Sequence, residues 1–319
     1  LYSQEDIEGF KSAFYTRGGG GDTRTELPAS PHEVAVARAM DLELRRGAIS
    51  VSAVMRASAG EIPHGVAVDV TLYAGLPFVE LTWSVTDKQK DPWPEAGWLA
   101  LPLAVRNPAF RLGRLCAVTD LAKDVIPGSN HELYKLANGM AVIDPDGRGV
   151  GLCSPDAPLV SLEHTGGYRY SKDFLPSKAV VFVNLYNNLY GVNFQQWIGG
   201  SWSSRVRIWS VGRYEAGPSL IGPARECRVP LEAGVSDGAA GKLPVTQAGI
   251  ELSRPGVEVT AFGPNPDGPG LILRLWEQIG NDGECTVRLP AGLKVASVQP
   301  CDLRGRPRGN PLAMREGRF

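Results

Sequence analysis

Histidine and cysteine are scarce in this 319-residue chain, which holds four of the first and five of the second. His32, His64, His131 and His164 form no HxH, HxD or HExxH run, and Cys116, Cys153, Cys227, Cys285 and Cys301 form no CxxC pair. Neither an internal zinc site nor a disulfide framework is expected, so no metal is assigned to this chain, and the cysteines read as small buried hydrophobes. Net charge is also missing, since 33 basic residues face 34 acidic ones for a formal −1. Without a field to gather nucleic acid or anionic membrane, neither is expected as a partner, and a neutral polar partner such as a sugar fits better. No apolar run approaches the roughly 18 residues that cross a bilayer. The start Leu1-Tyr2-Ser3-Gln4-Glu5-Asp6 lacks the basic and apolar regions of a secretion signal. A start at Leu rather than Met fits a processed or excised piece, and the compartment stays open. A GxSxG elbow and a Gly-rich loop before Lys-Ser/Thr are absent, which removes the motif grounds for a serine hydrolase or a phosphate-binding loop.

What the chain does have is turn chemistry, with 38 Gly and 25 Pro, and a dominant period of two. Val66, Val68, Val70 and Leu72 alternate with polar or small neighbours, Ala74-Gly75-Leu76-Pro77 turns the chain, and Val79, Leu81, Trp83 and Val85 alternate again. That is a hairpin with one buried face. Similar runs at 35–44, 49–57, 98–105, 140–143, 179–186, 205–211 and 225–230 predict further strands, and long helices are nearly excluded. Near the C-terminus, Val257–Phe262, the turn Pro264–Gly270, Leu271–Glu277 and Cys285–Pro290 predict two or three short strands. The expected fold class is all-β, with packed antiparallel sheets. Residues 1–30 read as a lead-in segment with a joint at Gly18-Gly19-Gly20-Gly21, 31–235 as a large sandwich, 236–246 as a linker and 247–319 as a small C-terminal sandwich.

Aromatic and amide side chains crowd residues 184–209. A carbohydrate site pairs flat apolar faces, which stack on sugar C–H groups, with amides and Arg forks that bond hydroxyls. Trp197, Asn187, Asn188 and Arg205 are the candidate sugar contacts; the same residue types would also serve as core aromatics and turn-forming amides. Glu95 stands in the Pro-rigidified loop Asp91-Pro92-Trp93-Pro94-Glu95, and Asp91, Glu132 and Glu163 are possible second carboxylates. His131 and His164 lie in polar loops, where binding roles are common. Glu95, His131, Glu163 and His164 are thus the candidate catalytic residues.

The strands around 70–85, Pro94–Pro102, Ser154–Val160, Asn187–Phe194 and Leu271–Glu277 follow one another as in the C-terminal half of glycoside hydrolase family 38 α-mannosidases, which the chain resembles over most of residues 50–303. The resemblance implies a large β-supersandwich of the galactose-mutarotase-like kind followed by a smaller β-sandwich. It also implies a parent enzyme whose N-terminal catalytic domain holds the nucleophilic Asp and zinc, with a helical bundle adding a His ligand. On that reading this chain has no cofactor of its own, its partners are carbohydrate and those N-terminal domains, and alone it is inactive. The alternative on the same scaffold is a self-sufficient epimerase or polysaccharide lyase that uses His131 or His164 with Glu95 or Glu163.

Overall fold

The computed structural model describes residues 34–38, 41–57, 64–90, 95–115, 117–165, 173–187, 198–235, 237–238, 241 and 244–319. Numbered along the chain, nine strands form an antiparallel sheet in the order β1 (Asp41–Arg46), β2 (Ser50–Ala57), β3 (Gly65–Tyr73), β4 (Phe78–Lys88), β13 (Gly200–Val211), β10 (Gly149–Cys153), β9 (Met140–Ile143), β6 (Ala109–Gly113), β7 (Val118–Asp120). A second sheet has the order β5 (Ala96–Pro102), β12 (Val180–Asn187), β11 (Leu159–Leu162), β8 (Tyr134–Lys135). The C-terminal residues pair β14 (Glu251–Leu252) with β17 (Val287–Arg288), and β15 (Val257–Pro264) with β16 (Leu271–Glu277). The all-β expectation holds, and the strands pair antiparallel.

Alternation along the central strands divides the large sheet between two cores. Phe110, Leu112, Met140, Val142, Leu152 and Val206 meet Leu101, Val160, Leu162, Val181 and Val183 of the second sheet. On the other face, Ala141, Ile143, Cys153, Trp209 and Val211 are covered by Leu220, Ile221, Ala224 and Cys227. These four come from a π-helical turn, Ala216–Ile221, and a short helix, α1 (Gly222–Arg228). The expected strand at 225–230 is therefore mostly helix: Pro223 starts it, and Ala224 and Cys227, three residues apart, face the sheet together. Of the run at 35–44, Asp41–Leu44 fall in β1, paired with β2 from Asp41 opposite Arg56, and residues 39–40 lie outside the described residues.

The hairpin expected at 66–85 forms, with Val66 opposite Val85, Val68 opposite Trp83, Val70 opposite Leu81 and Leu72 opposite Val79. Its burial is graded. Trp83 and Val85 are buried, whereas Leu72 is 53% exposed. The four-stranded sheet covers the middle of the nine-stranded one, and no residue of β1–β3 joins the inter-sheet core.

The C-terminal hairpin is tied to the large sheet by polar groups. Gln278, 2% exposed, donates to Glu258 Oε2 at 2.7 Å and accepts from Asn138 Nδ2. Arg225 of α1 donates to the same Glu258 oxygen at 2.8 Å and to Val259 O at 2.7 Å.

Trp209 lies across Gly151 of the neighbouring strand, and a Cβ there would come within 2.2 Å of the indole. The indole N–H donates to Ser219 O at 2.9 Å, which ties β13 to the π-helical turn. Gly151→Ala forces the ring off this seat and is expected to destabilise the protein by about 1–3 kcal/mol. Gly212→Ala, with open space around the new methyl, serves as the near-neutral control. Denaturant midpoints of the two variants check the difference.

Candidate functional site

Five strand ends converge at one end of the sandwich. β3 starts and β4 ends there, β13 starts beside them, and from the second sheet β5 starts and β12 ends. Each sheet carries a register shift at this end. In β4 the pairing passes from Val85 opposite Trp202 to Lys88 opposite Gly200, an extra residue with Asp87 at φ 54°. Asp87 N–H donates to Ser201 Oγ at 2.9 Å, which holds the bulge. The inward residues of β4 are odd-numbered up to Val85, so the bulge turns Lys88 inward as well. In β12 a shift between Asn184 and Tyr186 does the same for Tyr186, after inward Val181 and Val183.

Between the sheets, the Lys88 ammonium, whose side chain is 3% exposed, pairs with the Glu95 carboxylate and lies 5.4 Å from the Tyr186 ring centroid. Tyr186 stands edge-on to Trp202 at 5.6 Å between centroids, and its hydroxyl is 3.4 Å from His64 Nε2. Gly97 makes this possible, since a Cβ there would meet the Tyr186 ring at 2.3 Å. Asn187 Nδ2 donates to Asn184 Oδ1 at 2.6 Å, and Asn184 donates in turn to Gly97 O and Tyr186 O. Burial, and then the charge on Lys88, push the His64 pKa down; burial, and then the Glu95 carboxylate, push the Tyr186 hydroxyl up. A neutral imidazole and a neutral phenol beside a half-buried carboxylate and an amide pair suit a polar uncharged ligand.

A second polar cluster lies at the far end of β12. His164 Nε2 pairs with the Glu132 carboxylate, which is 4% exposed as a side chain. His164 also packs on Phe174, with centroids 4.4 Å apart. His131 Nδ1–H donates to Phe174 O at 3.0 Å, and the buried Nε2 has no hydrogen-bond partner among the described residues. Ser161 Oγ donates to Glu132 O and Tyr134 Oη to His131 O, both at 2.8 Å, so the backbone of 131–132 is fixed to β11 and β8. Glu163 sits at φ 65° in a γ-turn closed by His164 N–H to Leu162 O. Its carboxylate turns away to accept Ser177 N–H at 2.6 Å and Lys178 N–H at 3.2 Å, and these bonds hold its pKa below the usual range.

The structure thus brings His131, Glu132 and His164 together and does not bring Glu95 to either histidine. Glu95 precedes β5 beside the end of β12, while Glu163 lies beside its start, roughly 25 Å away along the strand. Arg205 is three residues past Trp202 in regular strand, hence on the opposite face, where it forms a two-pronged pair with Asp156 at 3.0 and 3.1 Å. It does not meet Asn187 in a common site. Trp197 and Asn188 lie outside the described residues. Lys88 and His64 had no signal in the sequence, because a bulge reverses the side that alternation assigns to Lys88. Glu132 was legible only as a carboxylate with no partner assigned. Among the described residues no group of three or more His, Cys, Asp or Glu is placed to hold a metal ion, and no helix is long and apolar enough to cross a membrane.

No curated protein matches the sequence. Solved structures similar to it include the following three. One is described as an aldose 1-epimerase from Escherichia coli K12, at 13% identity and TM-score 0.33 over 53% of this chain and 68% of that one. A galactose mutarotase related enzyme from Lactobacillus acidophilus aligns at 11% identity and TM-score 0.30 over 53% and 71%. The GH36 α-galactosidase AgaA from Geobacillus stearothermophilus aligns at 10% identity and TM-score 0.33 over 56% of this chain and 28% of that one. Residues 256–317, which hold the β15–β16 hairpin and β17, match the family described as glycosyl hydrolases family 38 C-terminal beta sandwich domain.

Proposed function

We propose that this chain is the C-terminal, non-catalytic region of an α-mannosidase-like glycoside hydrolase, contributing to carbohydrate binding and to packing against N-terminal catalytic and helical domains. The match of residues 256–317 to the family 38 C-terminal domain carries this reading. The inter-sheet cluster gives it a place for a sugar: Trp202 and Tyr186 offer ring surface to C–H groups, and Asn187 and Glu95 offer polar atoms to hydroxyls. Trp197 and Asn188 are further proposed contacts. In this reading the nucleophile and zinc belong to the parent's catalytic domain, and the ion pair with Lys88 holds Glu95 in position to bind.

Titration with methyl α-mannoside, followed by NMR, tests the site. Trp202→Ala is expected to weaken binding about fivefold, the equivalent of about 1 kcal/mol, with Asn187→Ala in the same direction. An affinity unmoved by both substitutions would overturn the cluster as a sugar site. The chain alone is expected to release p-nitrophenol from an α-mannoside no faster than buffer, since retaining hydrolysis needs two carboxyl groups about 5 Å apart acting on one bond.

One observation favours the epimerase or lyase reading. A buried carboxylate orienting a partly exposed imidazole, as Glu132 does for His164, is an arrangement suited to general acid–base work. Polarimetry of freshly dissolved aldoses separates the two readings. The C-terminal-region reading expects mutarotation at the buffer rate with the chain and with His164→Gln alike; acceleration by the chain that is lost in the variant would decide for the self-sufficient enzyme.

A further inference from the structure

Among the described residues strand β1 is the outer edge of the nine-stranded sheet, and all six of its residues are exposed. It pairs with β2 in unbroken register from Asp41 opposite Arg56 to Arg46 opposite Val51. Its two faces differ sharply. Asp41, Glu43 and Arg45 lie on one face with Arg56, and ion pairs join them: Arg45 to Glu43 at 2.8 Å and Arg56 to Glu43 at 3.0 Å. Leu42 and Leu44, 61% and 67% exposed, lie on the other and continue an apolar surface through Val51 and Leu72, 47% and 53% exposed. Natural edge strands are blunted by Pro, Lys, bulges or inward-facing charges; β1 has no Pro, Lys or bulge, and Arg46 is the one charge on its leucine face.

We propose that β1 pairs antiparallel with β1 of a second copy of this chain, across a two-fold axis perpendicular to the sheet, to form one continuous sheet in a homodimer. The strand Asp41-Leu42-Glu43-Leu44-Arg45-Arg46 is complementary to itself in this arrangement. With Leu44 on the axis, each Glu43 stands opposite Arg45 of the second copy, Leu44 meets Leu44, and Leu42 meets the aliphatic stem of Arg46. Antiparallel pairing places like faces together, so both charge pairs fall on the polar face and both leucines on the apolar one. The outward N–H and C=O groups of the edge gain partners as in strand addition, and the apolar surface of β1–β3 becomes continuous across the axis. The two-fold axis makes every contact off the axis count twice.

Sedimentation equilibrium of the chain over a wide dilution series, with hydrogen exchange of the β1 amides, tests the pairing. The expected result is a dimer whose β1 amides lose protection on dilution. Glu43→Arg or Arg45→Glu alone opposes like charges twice and should weaken association about tenfold, and the double reversal Glu43→Arg/Arg45→Glu should restore it. Both side chains are exposed, and an unchanged melting temperature of the monomer confirms that the variants fold. A monomer at every concentration, with β1 amides protected or not, would overturn the proposal. So would a dimer indifferent to the single reversals, or one that the double reversal fails to recover.

Discussion

Strand β9 imposes the constraint on which the molecule is organised. Its four residues are all buried, with Met140 and Val142 feeding the core between the sheets and Ala141 and Ile143 feeding the core under the π-helical turn and α1. A strand buried on both faces cannot slip by one residue without exchanging the two sets, and here the sets differ in size. β10 and β13 share the burden, and Gly151 leaves room for the Trp209 ring beside β9. The second sheet, the helical cover and the C-terminal hairpin are each positioned against these central strands.

Rigidity at the centre lets the ends depart from regular pairing. The bulges in β4 and β12 occur at the same end of the sandwich, one in each sheet, and turn Lys88 and Tyr186 into the space between them. Removing a lysine from water is costly unless it is paired, and Glu95 and the Tyr186 ring supply that compensation. At the other end the strained Glu163 turn sends one carboxylate to backbone N–H groups and leaves the imidazole of His164 for Glu132. The two polar clusters therefore occupy opposite ends of β12, and each depends on a local break in the strand pattern.

These breaks explain what could be read in advance. The hairpin at 66–85 follows a period of two without interruption, and the limits of β9 and of the C-terminal hairpin came from residue order, although β15 slips register between Val259 and Ala261. At Arg225-Glu226-Cys227-Arg228 a similar alternation misleads, because Pro223 and the need to cover Ala141 and Trp209 favour a helical turn. Lys88 was hidden by one added residue in β4. The Glu132–His164 contact joins residues 32 apart through β8 and β11, a proximity that neither loop discloses alone. Asn187 was legible as an amide near an aromatic cluster, whereas the Asp156 pair that occupies Arg205 depends on a face of β13 that only pairing reveals.

The buried amide of Gln278 has a bearing on how such chains can be recombined. Its oxygen and nitrogen link Asn138 of the large sheet to Glu258 of the C-terminal hairpin, and Arg225 of the helical cover shares the same carboxylate. A crossover in the Gly- and Ala-rich stretch 236–246 would look harmless by composition, yet it would separate the donors from their acceptor and leave a buried amide and a guanidinium with foreign neighbours. Exchanging the C-terminal hairpin without matching Asn138 and Arg225 would leave Gln278 and Glu258 without these hydrogen-bond donors, so the two parts of the chain are coupled through side chains as well as through the connecting backbone.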